Sequence, residues 1–511
     1  MLERRADSFK SVSLEGAHVL LLLPPSRKDR TIELVALAEA GKSKWNWRVS
    51  GICEQLDENA FKSLCAPNGT VVSRPYYLKD GAWAADSKLL KQVDEDLAQA
   101  EAASSIPAGQ AILAGAHSVG RAYNVPFRYA NQYPLVLQMI NDNLAPFRLF
   151  RRLFKFSEDT IDRLKPDLII AYEWATPLAF GAWLAANTRG IPCVSLRNSK
   201  ILPERSFWTL DRLMFNTPSI ERAVERRTAN LPVSDAAQAQ IKKFRDQPTV
   251  INYIAAKWHH RLQRDFLRWH IGYVRVLFRE MKNSLRGQDN ALREPWIGRL
   301  FRYYRRLFYT SYHGRFMVSL DDKTLESTKY IYFPMHKEAE LAQTYQSTLW
   351  HDQRNTVRVL ASMLPSGYKL LVREHRMNYG NRPTSFYRQM AKIPNLVMID
   401  AFDSQFKYLR HADLVVTENG SSGLEGLLLG RRVLTLAPTF YDGAGLVRNV
   451  DNPDKLNAAI IDILSKPAAA DDHALGCMID AERETTFPTT KEGTAAALDR
   501  LVEVVGNASR P

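Results

Sequence analysis

At 511 residues the chain is too long for one compact core, and its length alone points to two or three domains. Hydrophobic residues make up 45% and charged residues 24%, ordinary globular values that exclude disorder as the state of the whole chain. The longest apolar run, Val19 to Leu23, is broken by Pro24 and Pro25 and falls far short of the roughly 20 residues that span a bilayer. The opening MLERRADSFK lacks the apolar stretch of a secretory signal, so a cytoplasmic location is expected. Cys53, Cys65, Cys193 and Cys477 are scattered, with no CxxC pair and no zinc-like His spacing; reduced, mostly buried thiols are expected, with no metal and no cofactor. The net charge of +14 is uneven: between Lys257 and Arg315 there are 14 Lys and Arg against 4 Asp and Glu. Acidic partners follow from this, and a membrane surface, a polyanionic glycan or a nucleic acid would each fit.

In chain order, AHVLLLLPPSRKDRTIELVALAEA reads as strand, polar turn and helix, the opening of a parallel α/β sheet. The pattern returns with a strand at Asp167–Tyr172, a helix at Thr176–Thr188 and a strand at Ile191–Leu196; Gly190 stops the helix and Pro192 opens the strand. A right-handed crossover places the Tyr172–Pro177 loop at the sheet's carboxyl edge. From about Ser219 to Arg315 helices without strands are expected. Trp258, Leu262, Phe266, Trp269, Tyr273 and Leu277 recur at three- and four-residue spacing among Arg and Lys. That pattern fits a packed helix with a basic solvated side first, and a surface lying against anionic lipid or a charged glycan second. The α/β rhythm resumes after Leu325: strands at Lys329–Pro334, Lys369–Glu374, Asn395–Ile399, Leu414–Thr417 and Val433–Leu436 alternate with helices at Gln353–Met363, Ser404–His411 and Ser421–Leu429. The chain therefore divides into an N-terminal α/β lobe (1–215), a basic helical insertion (216–325), a second doubly wound lobe (326–490) and a C-terminal helix and tail (491–511).

The richest stretch is LVVTENGSSGLEGLLLGRRVLTLAPTFYDGAG. A strand ends at Thr417, and Asn419, Gly420, Ser421, Ser422 and Gly423 make the turn into a helix. Small residues let a phosphate reach the backbone, and the helix N-terminus attracts negative charge. Glu425, one turn in, is placed to meet a ribose or sugar hydroxyl; its spacing from Ser422 also fits a capping box, and both readings can hold. The strand in LLVREHRMNYGNRP delivers Arg373, Glu374, His375 and Arg376 at its end. A His beside two Arg suits a diphosphate or a phosphate leaving group, though the same residues fit a surface charge cluster. YIYFPMHKEAE presents His336 and Glu338, and the N-terminal lobe presents Tyr172, Glu173 and Trp174. Glu173 at a strand end fits a general base across a cleft, or simply an acid near a helix cap. GxSxG, HExxH, Walker and GxGxxG patterns are all missing.

These stretches resemble the capsule polysaccharide biosynthesis family of bacterial glycosyltransferases, which includes transferases of Kdo. The matching residues are YIYFPMHKEAE, then HDQRNTVRVLASMLPSGYKLLVREH, then FYRQMAKIPNLVMIDAFDS and VVTENGSSGLEGLLLGRRVLTLAPTFYD, with PDLIIAYEWATP and GIPCVSLRNSKI more loosely similar. The resemblance implies a two-lobed, metal-independent enzyme of GT-B type with a nucleotide-sugar donor such as CMP-Kdo and a glycan or glycolipid acceptor. It also implies that His375 and the Ser421–Ser422 loop hold the donor's nucleotide phosphate, with Glu425 near the ribose or base; from the residues themselves, catalytic roles are expected for Glu173 and His375, and donor contacts from His336, Arg373, Glu374, Asn419, Gly420, Ser421, Ser422 and Glu425. Arg376, Gly426 and Arg432 stand where relatives have Pro, Ala and Pro. Peripheral attachment to the inner membrane through the basic helices is a further expectation; nucleic acid is not an expected partner. Two other readings stay open: a sugar-nucleotide epimerase or hydrolase on the same fold, and a non-catalytic basic protein that binds membrane or glycan.

Overall fold

A computed structural model describes residues 12–23, 28–53, 71–73, 87–104, 145–250 and 308–507, apart from short gaps within those spans, and a few positions elsewhere. They form two compact α/β units, the first from residues up to 219 and from 482 onward, the second from 220–481. The first lays down β1 (His18–Leu22), α1 (Lys28–Trp45), β2 (Arg48–Cys53), β3 (Val71–Ser73), α2 (Ser87–Ser104), α3 (Ala145–Leu164), β4 (Leu168–Ala171), α4 (Pro177–Asn187), β5 (Cys193–Asn198) and β6 (Arg205–Thr209). α5 (Thr217–Thr228), α6 (Asp235–Asp246) and α7 (Asp322–Ser327) precede the second sheet. That sheet and its helices are β7 (Tyr330–Pro334), α8 (Gln353–Ser362), β8 (Lys369–Arg373), α9 (Thr384–Met390), β9 (Leu396–Ile399), α10 (Gln405–His411), β10 (Leu414–Thr417), α11 (Ser421–Leu428), β11 (Val433–Thr435) and β12 (Arg448–Asn449). α12 (Leu456–Ser465) and α13 (Asp472–Thr485) follow, and the chain returns to the first unit as β13 (Phe487–Pro488) and α14 (Gly493–Asn507).

The first sheet runs β3-β2-β1-β4-β5-β6-β13, parallel through β5 and antiparallel at β6 and β13. The second runs β12-β11-β10-β7-β8-β9, parallel throughout. The strands HVLLL, LIIA and YIYFP are buried along their whole length, which is why they read as unbroken apolar runs rather than alternating ones. Both sheets share the Rossmann-like order third-second-first-fourth-fifth, so each has a switch point between its first and fourth strands. In the second sheet that point lies between β7 and β10.

The expected helix stops are present. Thr176 caps α4 by accepting from the Ala179 amide at 3.2 Å, and Gly190 ends it with a φ of +64°. Gly430, at φ +74°, does the same after α11. Arg432 has a structural use: its Nη1 donates to the carbonyls of Ile463 and Lys466, each at 2.8 Å, closing the C-terminal end of α12. A proline there would remove that cap.

Chain assignment differs from the sequence reading at one place. The second unit ends at Ala481 rather than near residue 490, because Phe487 pairs with Ser206 and the Trp208 indole donates to the Ala497 carbonyl at 2.7 Å. Most of the basic stretch, including the amphipathic pattern around Ala255–Ser284 and Arg302, Arg305 and Arg306, lies outside the described residues. No helix among the described residues is long and apolar enough to cross a membrane.

Candidate functional site

The carboxyl ends of β8, β7 and β10 are neighbours, and each carries a residue singled out by its sequence. His336 follows β7. Its imidazole is the nearest group to Gly420, where an added Cβ would stand 3.0 Å from Cε1, and Nε2 lies 3.4 Å from Thr417 Oγ1. Thr417 Oγ1 in turn accepts from the Gly420 amide at 3.1 Å, which fixes the turn into α11. His375 follows β8, and the charge of His336 acts on it directly. Burial, then His336, Arg373, Lys337 and Arg382, hold its pKa well below the ordinary value of 6.5. The ring is therefore neutral at physiological pH, one nitrogen donating and the other accepting.

Gly420 caps α11 without any side-chain bond, so the capping box from Ser422 to Glu425 does not form. Ser421 and Ser422 open the helix half-buried, and neither hydroxyl has a partner among the described residues. The loop is braced from behind by Tyr441, fully buried, whose hydroxyl donates to the Gly420 carbonyl at 2.8 Å. Asn419 is buried and its Nδ2 donates to Gln346 Oε1 at 3.4 Å.

Three of the expected donor residues are engaged by partners within the protein. Glu374 is fully buried and committed inward: Oε2 accepts from Arg382 Nε at 2.6 Å and from Tyr387 at 2.9 Å, while Oε1 accepts from the His375 amide at 2.7 Å. A buried carboxylate needs such partners to stay charged, and the run of consecutive charged residues from Arg373 to Arg376 hid this pairing. Glu425 is also fully buried and accepts from Gln405 Nε2 at 2.6 Å, which props α10 on α11. Arg373 donates to the carbonyls of Ala401 and Asp403 at 2.7 and 2.9 Å. Arg376 shares both acceptors, and burial and Arg373 bring its pKa down to about 10. The two guanidiniums shape the loop after β9, and the charge of Arg373 acts on His375.

In the first unit, Glu173 follows β4 and is half-buried, 3.6 Å from Arg197, whose Nη1 donates to the Tyr172 carbonyl at 3.0 Å. Glu338 lies outside the described residues. Among the described residues no group of His, Cys, Asp and Glu could hold a metal ion, and Cys193 and Cys477 are buried free thiols.

The depressed pKa of His375 has a stability consequence. Below its ordinary value of 6.5 the unfolded chain binds a proton at this residue that the folded chain refuses, so stability falls as pH falls, by up to about 1.4 kcal/mol per pH unit. Urea denaturation at about pH 7.5 and about pH 5.5 should show this loss, and His375→Gln should remove its share of the slope.

Two Rossmann-like units, one of them with two imidazoles and a helix N-terminus at the carboxyl ends of neighbouring strands, define a doubly wound α/β protein. Residues 310–460, which span β7 to β12, match the family described as capsule polysaccharide biosynthesis protein, the family that the sequence resembles. No curated protein matches the sequence. Among solved structures, the chain is similar to KpsC, a β-Kdo 2,7 transferase of Thermosulfurimonas dismutans, at 11% identity and a TM-score of 0.33, covering 71% of this chain and 97% of that one. It is similar to the UDP-GlcNAc 2-epimerase of Methanocaldococcus jannaschii at 15% identity and a TM-score of 0.25, covering 91% and 97%. Likenesses of that size carry nothing about substrate or mechanism.

Proposed function

We propose that the chain is a glycosyltransferase that uses a nucleotide-activated sugar, with CMP-Kdo the favoured donor, to build a capsule or other surface polysaccharide. One observation carries the reading. Three adjacent strand ends set His336 against the turn that opens α11, whose two leading serines are unpartnered among the described residues, and keep a neutral His375 within electrostatic reach of His336.

In the reaction, an acceptor hydroxyl oxygen bonds to the anomeric carbon as the bond from that carbon to the donor phosphate oxygen breaks. The electron pair goes to the phosphate. The amides that open α11, the hydroxyls of Ser421 and Ser422, and a ring N–H of His375 stabilise that charge as it develops. These groups supply the positive potential, and the transfer is proposed to be metal-independent. Glu173 takes the acceptor's proton as general base. The acceptor is a glycan or glycolipid, and the basic stretch 257–315 holds the enzyme peripherally at the inner face of the membrane.

A thermal-shift screen of CMP-, UDP- and GDP-sugars tests this. At about 100 times its Kd, a donor that binds only the folded state adds about 2.7 kcal/mol. One donor class should raise the melting temperature of the wild type, and His375→Ala should lose most of that rise. A wild type that no nucleotide sugar stabilises would sink the proposal. Donor breakdown or epimerisation at full rate without acceptor would favour the epimerase or hydrolase instead.

A further inference from the structure

The loops that carry the two histidines are tied together by buried amides. Asn378, fully buried, donates its main-chain N–H to the His375 carbonyl at 2.8 Å and its Nδ2 to the His336 carbonyl at 3.0 Å. Gln353, fully buried at the start of α8, holds the main chain of His336 from another element: Oε1 accepts from the His336 amide at 2.6 Å, and Nε2 donates to its carbonyl at 3.0 Å. A side-chain amide that satisfies both main-chain groups of one residue takes the place of a neighbouring strand. β7 has ended at Pro334 and Met335 makes the last ladder bond, to the Arg373 carbonyl. From there on the chain would be free to splay, and Gln353 and Asn378 prevent it.

Mere filling of a core would be done at least cost by apolar side chains, since a buried amide left half-satisfied is penalised. Here three side-chain bonds converge on the main chain of a single residue, His336. Its imidazole is thereby pressed against Gly420 and Thr417 and kept within electrostatic reach of His375.

We infer that Asn378 and Gln353 are positioning residues for sugar transfer, fixing the imidazole of His336 relative to that of His375 around the donor's phosphate. This rests on the reading of the site as the donor's phosphate pocket. Misplacing a catalytic group by a fraction of an ångström to one ångström costs rate more than ground-state affinity, which gives the inference its signature.

The test uses Asn378→Ala, which keeps the main-chain bond to His375 but removes the side-chain tie. Gln353→Met, which keeps length and removes both bonds to His336, is the second variant should the first fail to fold. Ring-nitrogen NMR titrations of the free full-length protein, assigned with His336→Gln and His375→Gln, read the two imidazoles. Kinetics with whichever nucleotide sugar the wild type turns over read the reaction. Each variant should move the His375 titration upward toward its ordinary value and lower kcat at least about tenfold, with donor KM changed much less. A folded variant with a lower melting temperature but wild-type titration and kcat would overturn the inference. A wild type that turns over no nucleotide sugar would instead defeat the transferase reading, and the ring titrations would still decide whether the amides set the imidazole pair.

Discussion

Arg382→Ala should destabilise the protein by about 3–5 kcal/mol, the range found when one partner of a buried ion pair is removed. Arg382 and Glu374 are both fully buried, with Nε and Oε2 2.6 Å apart. Glu374 is also bound by the Tyr387 hydroxyl and the His375 amide, and Arg382 lies over the Phe386 ring at 4.5 Å. Without the guanidinium, the carboxylate must keep a charge in the interior with two neutral donors, or take up a proton. Both states cost. Urea denaturation should show a large fall in the midpoint with little change in slope. The double variant Arg382→Met, Glu374→Gln should recover much of the loss, because it removes the charge along with its partner. A single variant within about 1 kcal/mol of wild type would mean that water or another cation replaces the arginine.

That pair also shows where sequence reading stops. The second sheet was legible nearly strand by strand: Leu414–Thr417 lies where the apolar run puts it, and Tyr330–Pro334, Lys369–Arg373 and Leu396–Ile399 differ by a residue at an end. Continuous Val, Ile and Leu bounded by Gly, Pro and Asp mark a parallel strand whatever its neighbours. The turn from β10 into α11 was legible for the same local reason, since a strand, small residues and a helix occur in unbroken order. Which charged residue faces the opening and which faces the core was not legible. Arg373, Glu374, His375 and Arg376 are consecutive, and only the packing of α9 and of the 401–403 loop against the strand end directs each side chain.

The same limit holds for long-range partners. Asn378 and Gln353 look like ordinary polar residues until the fold brings each to His336. The return of α14 to the first unit could not be read from periodicity either, because an amphipathic helix does not reveal which sheet it covers. Tyr441 is an intermediate case. It sits inside a stretch that resembles the capsule family, yet its role as a brace appears only with the Gly420 carbonyl 2.8 Å from its hydroxyl.

Gly423→Ala should act on that brace and cost both stability and donor binding. A Cβ on residue 423 would lie 2.1 Å from the Tyr441 hydroxyl oxygen, 2.8 Å from Cζ and 3.1 Å from Thr417 Cγ2. The ring cannot simply turn aside: it is fully buried and packs edge-on against Phe440 at 4.8 Å. Overpacking of this kind costs about 1–3 kcal/mol, and the broken bond to the Gly420 carbonyl adds about 1 kcal/mol. Because that carbonyl belongs to the cap of α11, the amides proposed to face the donor phosphate shift as well, and donor affinity should fall at least about tenfold. Tyr441→Phe alone keeps the ring and loses only the hydrogen bond, so it should cost about 1 kcal/mol. Combining the two relieves the closest clash, and the double variant should be more stable than the sum of the single losses predicts, a coupling readable by a double-mutant cycle. Strict additivity, or a Gly423→Ala protein that binds donor like wild type, would show that the loop is held by something other than Tyr441.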